Sequence, residues 1–153
     1  MGKIIAIATR KKTKAEMDEH SSATISFENG VGQDSRGKKR NNRQVTIMTS
    51  ENWQSTCKEL GKEIPWTTRR ANIFIEGIEL KDLKACQLRI GTAIVEITGE
   101  LEPCNRMDAQ FEGLTQILAK DWRGGVTCKL IKEGEIHLND KVELINNATK
   151  YET

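Results

Sequence analysis

Aromatic residues are scarce in this sequence of 153 residues, of which they make up 5%. Proteins that bind single-stranded nucleic acids stack the bases on aromatic side chains, so the scarcity disfavours such a role. The net charge of +2 is nearly balanced and creates no strong field around the whole molecule. The basic run RGKKRNNR at residues 36–43 keeps nucleic-acid binding as an alternative. The other interpretation of this run is a solvated loop.

The sequence shows no long apolar run near its start. The longest there is IIAIA, and positive charges follow it, whereas a secretory signal has its positive charges first and needs a longer apolar segment. Hydrophobic residues make up 37% and charged residues 30%, a balance typical of soluble globular proteins. We therefore expect a cytoplasmic protein without membrane contact, folded as one domain over residues 1–153.

No two of the four cysteines form a C-x-x-C pair, and neither histidine is spaced with them as zinc ligands are. Disulfides are rare in the cytosol, so each thiol is considered separately. Cys57 shares a helical stripe with Trp53 and Leu60, and Cys128 lies on the apolar face of a predicted strand. Both are predicted to be structural, whereas Cys86 at the start of a strand stays undecided.

The pattern of the chain predicts about seven strands and two helices. Residues 10–40 are mostly polar and are expected to form a surface loop with at most one short strand. One helix is predicted between an N-cap at Ser50 and Gly61, and the second carries Phe111. The predicted strands are KIIAIAT, RQVTIM, RRANIFIEGI, the two halves of QLRIGTAIVEIT, GGVTCKLI and the two halves of IHLNDKVELI.

Strands and helices do not alternate regularly, which disfavours a parallel sheet with helices on both faces. QLRIGTAIVEIT and IHLNDKVELI both resemble hairpins, with alternating apolar residues on either side of a turn. The sequence therefore predicts a mainly β fold, a closed or nearly closed mixed or antiparallel β-barrel with flanking helices. We expect Trp53 and Phe111 to lie on helices that cover its openings.

Cys104 differs from the other cysteines in its surroundings, GELEPCNRMD. Pro103 lacks an N–H group, so a strand is expected to stop there and to leave the thiol at the rim of the sheet. Arg106 and the start of a following helix would both lower the pKa of the thiol. Cys104 is thus the candidate reactive cysteine, although an incidental loop position remains the alternative.

Arginines recur at the ends of predicted strands. Arg43 opens one strand, Arg69 and Arg70 open another, and Arg123 precedes the glycine pair Gly124–Gly125. Arginine binds phosphate through two parallel hydrogen bonds, and glycines let backbone N–H groups approach a ligand. These residues indicate a shared anion site beside Cys104, although solvated arginines at strand ends would give the same pattern.

Several motifs together resemble the MOSC domain family, named for the C-terminal domain of molybdenum cofactor sulfurase. The matching stretches run from about Gly30 to Leu144: GVGQDSRG with RQVTIM, RRANIFIEGIEL, QLRIGTAIVEITGELEPCNRMD and WRGGVTCKLIKEGEIHLNDKVEL. The E-P-C-x-R-M block and the R-G-G-V ending are specific in combination. The resemblance is to a small, stand-alone member of the family.

The resemblance implies a β-barrel similar to that of pyruvate kinase, in which Cys104 carries sulfur or ligates molybdenum of the molybdenum cofactor (molybdopterin). A sulfur-carrier or transferase activity, or a component of a molybdenum-dependent reductase, follows from it. Larger relatives with a desulfurase domain link the family to pyridoxal phosphate. The implied partners are a sulfur donor such as a cysteine desulfurase, or a molybdoenzyme; a scaffold without catalytic activity is the alternative. The resemblance makes Arg43, Arg70, Asn72 and Arg123 candidates for holding the phosphate and pterin of the cofactor. The patterns described above add Arg106, Gly124 and Gly125 to the predicted cofactor-binding residues.

Overall fold

The structure, a computed structural model, describes residues 2–12, 16–35, 37, 41–103 and 111–145. Two α-helices and two short 3-10 turns, Trp66–Arg69 and Lys120–Trp122, accompany the strands. The helices are α1 (Ser50–Leu60) and α2 (Leu114–Leu118). The strands are β1 (Gly2–Thr9), β2 (Asp18–His20), β3 (Ser22–Ser26), β4 (Gly30–Val31), β5 (Val45–Thr49), β6 (Ile73–Glu76), β7 (Gln87–Ile90), β8 (Ala93–Glu100), β9 (Val126–Lys132), β10 (Gly134–His137) and β11 (Lys141–Ile145).

Seven of the described strands form a closed barrel in the order β11–β7–β8–β9–β5–β6–β1, and β1 closes the wall by pairing with β11. Neighbouring strands are antiparallel except for β5 and β6, which run parallel. The short strand β2 extends the sheet along β1. The mainly β, mixed barrel expected from the sequence is therefore confirmed.

The barrel interior is filled by branched aliphatic side chains. Because successive residues of a strand point to opposite faces, every second residue of the wall is buried inside. Ile47, Ile73, Val95 and Val126 are among the fully buried residues of this interior cluster. Burial of one such side chain contributes about 1.5–3 kcal/mol to the free energy of unfolding.

A small sheet of β10, β3 and β4 adds to the interior cluster through Ile25, Val31 and Ile136, all of which are fully buried. These strands correct the expectation for residues 10–40, which hold three short strands instead of one at most. They also correct the predicted second hairpin. β10 pairs with β3, whereas β11 pairs with β7 and β1, so the two halves of IHLNDKVELI belong to different sheets.

Both helices pack on the outside of the wall. Met48 of β5 and Phe74 of β6 point outward and form a second cluster with Trp53 of α1 and Leu114 and Leu118 of α2. The helices therefore flank the barrel, instead of covering its openings as expected. Phe111 is not in α2, which begins at Leu114, although it packs against this outer cluster.

The ends of two predicted elements also differ from the structure. Helix α1 has its N-cap at Thr49, whose side chain accepts from the Asn52 N–H group, one residue before the predicted Ser50. Gly61 is the C-cap, as predicted, with a left-handed φ of 76°. The strand predicted over residues 69–78 is confined to Ile73–Glu76, because the preceding residues form the 3-10 turn Trp66–Arg69.

Candidate functional site

The candidate site lies where β8 ends, immediately before Cys104. Leu101 is buried, and its N–H group donates to the carbonyl oxygen of Gly125 at 2.8 Å. The chain at Leu101, three residues before the cysteine, is thus held against the turn that precedes β9. Cys104 and Arg106 themselves lie outside the described residues.

Arg69 fixes this strand end with its buried side chain. Its exposed fraction is only 7%. Its Nε group donates to the Gly124 carbonyl oxygen at 3.1 Å, and its Nη2 group donates to the Leu101 carbonyl oxygen. One guanidinium therefore ties the end of β8 to the turn before β9. The sequence analysis noted Arg69 beside Arg70 but did not single it out, since only burial distinguishes the two.

Both glycines of this turn are required by the fold itself. A Cβ atom on Gly124 would lie 2.7 Å from the Leu101 carbonyl oxygen and 3.0 Å from Nη2 of Arg69. Gly125 has a left-handed φ of 100°, and a Cβ atom there would lie 2.9 Å from the Cβ atom of Met48. The absence of side chains at this turn therefore has a structural reason, whatever ligand the site binds.

A row of polar side chains crosses the outer face of the wall beside this turn, and the sequence analysis did not identify it. This polar row consists of Asn72, immediately before β6, and of Thr46, Thr127 and Thr98 from the neighbouring strands β5, β9 and β8. The Thr46 Oγ1 group donates to Asn72 Oδ1 at 3.1 Å. Thr46 and Thr127 are register partners, and the hydroxyl oxygens of Thr98 and Thr127 are 2.7 Å apart.

Asn72 uses both ends of its amide within the wall. Its Oδ1 atom accepts from the backbone N–H and the hydroxyl of Thr46, and its Nδ2 group donates to the Ala8 carbonyl oxygen at 3.2 Å. Its exposed fraction is 1%. Asn72 therefore links β1, β5 and β6 and has a structural role in the row.

Two of the predicted arginines flank the polar row. At one end, Thr98 donates to the carbonyl oxygen of Asn42, next to the exposed residue Arg43. At the other end, Arg70 precedes Asn72 by two residues, is partly exposed, and has a left-handed φ of 65°. The row spans three strand spacings, roughly 14 Å in all. Between these two arginines, Thr46, Asn72 and Thr127 of the row are buried.

Arg123 lies apart from the row, against α1. Its guanidinium pairs with Glu59, which also binds Lys120 at 2.6 Å. The hydrogen bonds from Lys120 and then Arg123 lower the pKa of Glu59. Arg123 and Lys120 therefore share the carboxylate of Glu59, a contact that no pattern in the sequence predicts.

Glu100 is an unusual acid at this strand end. It is the register partner of Val126, which faces the barrel interior, so Glu100 lies on the interior face near the mouth of the barrel. Burial raises the pKa of Glu100, the negative charge of Glu102 raises it further, and Arg69 opposes the shift. The folded protein therefore holds a proton on Glu100 more tightly than the unfolded chain does.

This shift gives a pH-dependent prediction. As the pH rises from the ordinary pKa of 4.5 through the raised value, ionisation of Glu100 costs folding free energy. Glu100→Gln should therefore increase the free energy of unfolding at pH 7, and the gain should vanish at pH values below 4.5. Urea denaturation at both pH values measures it. Glu112→Gln, an exposed acid, is the control that should show neither effect; a gain that persists in acid would contradict this account.

The other three cysteines occupy different environments. Cys128 is fully buried in the barrel interior, which raises the pKa of its thiol strongly. Cys57 and Cys86 are half-buried, and the Cys57 thiol lies 3.9 Å from the Ile64 carbonyl oxygen. Within the described ranges, no three His, Cys, Asp or Glu side chains are placed to hold a metal ion. Nor does any helix in that part of the chain have the length and apolar character to cross a membrane.

Several solved structures share the fold of this chain. The YuaD protein from Bacillus subtilis superposes with a TM-score of 0.75 at 15% identity, covering 94% of this chain and 96% of that one. YiiM from Geobacillus stearothermophilus gives a TM-score of 0.76 at 14% identity, covering 95% and 76%. YiiM from Escherichia coli gives 0.70 at 14% identity, covering 95% and 70%. Among curated proteins, none matches the sequence significantly.

The sequence profile of the MOSC domain matches residues 32–143. This range includes most of the barrel wall, the polar row and the segment that carries Cys104. The match covers well over half of the chain, and it agrees with the motifs that stand at the end of β8 and before β9. The chain belongs to the MOSC domain family.

Proposed function

We propose that this MOSC protein handles sulfur for the molybdenum cofactor and that Cys104 is the carrier. The observation that carries the proposal is the double anchoring of Leu101, three residues before Cys104, by Gly125 and by the buried Arg69. A carrier thiol must meet both a donor and an acceptor in a defined position. A strand end tied by a buried guanidinium supports such a position better than an unanchored loop would.

The transfer step needs no external oxidant or reductant. A persulfide on the donor, expected to be a cysteine desulfurase, offers its outer sulfur atom to the Cys104 thiolate. The new S–S bond forms at Cys104 as the S–S bond of the donor breaks, and the donor leaves as a thiolate. The outer sulfur of the Cys104 persulfide then passes to a thiolate of the acceptor: a new S–S bond forms there as the S–S bond at Cys104 breaks, and the Cys104 thiolate is regenerated. The activity is that of a sulfur carrier or transferase.

Exposed arginines near the end of β8 support an anionic ligand as the second part of the proposal. Arg43 and Arg70 flank the polar row with exposed or partly exposed side chains, and they would hold the phosphate of the cofactor. Asn72 would act indirectly, by fixing the strands beneath. Arg106 and Cys104 are added to this set by the resemblance to the family. When bound, the cofactor would supply a molybdenum centre for transfer chemistry. A molybdoenzyme partner would then receive or use this cofactor.

The test is a chemical analysis of protein purified anaerobically from a host that makes the cofactor. We expect one additional sulfur atom on Cys104 by mass spectrometry, removed by a thiol reductant and absent in Cys104→Ser. The control is Cys86→Ser, which removes a half-buried thiol and should keep the modification. Molybdenum and pterin that are lost with Cys104→Ser would show that the cofactor itself is held there. Sulfur on Cys57 or Cys86, or none on any cysteine, would overturn the proposal.

A further inference from the structure

A pocket of about 450 Å³ lies between α1 and the outer face of β1 and β6, apart from the candidate site. None of the residues predicted from the sequence to bind the cofactor lines it. It has an aromatic and aliphatic floor and an acidic rim. Its lining residues are Ile5, Ser50, Glu51, Trp53, Gln54, Ile64, Trp66, Phe74 and Glu76.

Three aromatic rings line the floor, beside the polar side chains of Ser50 and Gln54. Trp66 and Phe74 are stacked, with their ring centroids 4.8 Å apart and their planes 14° from parallel. The indole N–H group of Trp53 donates to the Ile64 carbonyl oxygen at 2.8 Å. That of Trp66 donates to Glu19 at 3.2 Å. Both indole N–H groups are thus engaged within the protein. Because Phe74 covers one face of the Trp66 ring, the Trp66 ring can offer a ligand its other, negatively polarised face.

The rim carries carboxylates that have no cationic partner among the described residues. Glu51 accepts from the Gly77 N–H group at 2.8 Å, which places it beside Glu76. Neither acid, nor Glu19, forms an ion pair with a lysine or arginine of the described ranges. Lys3 is the register partner of Glu76 but is not within ion-pair distance of it.

We propose that this pocket binds an organic cation, an alkylammonium or guanidinium group on a short apolar stem. A cation over Trp66 is attracted by the ring face, and the bond from the indole N–H group to the Glu19 carboxylate makes that face more negative. Glu51 and Glu76 supply charge-assisted hydrogen bonds, and Ile5, Ile64 and Trp53 contact the stem. An anion is repelled by the rim, and a neutral ligand lacks the charge that would pair with its carboxylates.

Two sources could deliver this cation: a free amine or guanidine, and an arginine or lysine side chain of a partner protein. The chemistry of recognition is the same for both. The volume of the pocket is in the range of small-molecule sites, and it is open enough to admit a side chain. The proposal does not rest on the function of Cys104, because no residue of the candidate site takes part.

The test compares butylguanidinium with butylurea, which has nearly the same shape but no charge. The indole N–H resonance of Trp66, assigned with Trp66→Phe, reports binding in a titration followed by NMR. We expect butylguanidinium to shift this resonance with saturation and butylurea to shift it little. Glu76→Gln should weaken butylguanidinium binding by roughly ten- to a hundredfold, because it removes a charged hydrogen-bond acceptor.

Glu63→Gln is the matched control. Glu63 is an exposed acid that lines the neighbouring pocket with Cys57 and Lys62, so its loss changes the net charge equally without touching this site. Equal binding of butylurea, or equal weakening by Glu63→Gln and Glu76→Gln, would overturn the proposal. N-acetyl-arginine amide identifies the source. Binding at least tenfold tighter than that of butylguanidinium indicates the side chain of a partner, and equal or weaker binding indicates a free cation.

Discussion

Gly125→Ala is expected to remove most of the stability of this protein. The residue has a φ of 100°, where a side chain costs about 1–2 kcal/mol in backbone strain. An added Cβ atom would also come within 3.0 Å of the backbone of Ile47 in β5, which cannot move without disturbing the wall. Together with this overpacking we expect a loss of about 4 kcal/mol or more in the free energy of unfolding, measured by urea denaturation.

Gly61→Ala is the matched control for this prediction. Gly61 also has a left-handed φ, of 76°, but no atom lies within 4 Å of the position that a Cβ atom would take. It should therefore show the cost of backbone strain alone, about 1 kcal/mol. If both substitutions cost the same, contact with β5 is not what makes Gly125 necessary.

Arg69→Met is expected to have the second largest effect. The change removes hydrogen bonds from a charged group to the carbonyl oxygens of Leu101 and Gly124, and it leaves both oxygens buried. Since each bond of this kind contributes about 1.5–3 kcal/mol, the free energy of unfolding should fall by roughly 3–5 kcal/mol. Under the proposed function, the rate at which Cys104, three residues after Leu101 in the sequence, reacts with iodoacetamide should change as well.

Arg70→Met provides the comparison, because it makes the same change at the next residue. Arg70 is partly exposed, so its loss should cost less than about 1 kcal/mol. Under the proposed function it should weaken binding of a phosphate-bearing ligand instead. A stability loss at Arg70 as large as that at Arg69 would contradict the assignment of the anchoring role.

The hairpin of β7 and β8 could be predicted because the residues that specify it are adjacent in the sequence. Its turn lies at Gly91, which has a φ of 56°, and alternating apolar residues flank it. The segment of β10 and β11 has the same local pattern, yet its strands pair with β3, β7 and β1, which are distant in the sequence. Alternation predicts that a segment is a strand, but it does not say which strand becomes its neighbour.

The candidate site, too, could be predicted only where the signal is local in the sequence. Pro103 and the glycine pair carried enough signal to mark the ends of two strands. No signal in the sequence distinguished Arg69 from Arg70. The left-handed φ of Arg70 directs the two adjacent side chains into different surroundings. Thr98 and Thr127 gave no signal either, since threonine is common in strands and only the pairing of β8 with β9 brings the two hydroxyls together.

The closure of the wall by β1 and β11 has a consequence for how the protein is made. Because Gly2 pairs with Val142, the ribosome must synthesise the chain as far as β11 before the wall can close. Until then β1 can pair with β6 and, over Ile7–Thr9, with β2, but its edge at Gly2 and Lys3 is open and the aliphatic interior is accessible to other chains. Folding should therefore be slow for a protein of this size, and nascent chains that stall before β11 should be the species that chaperones bind.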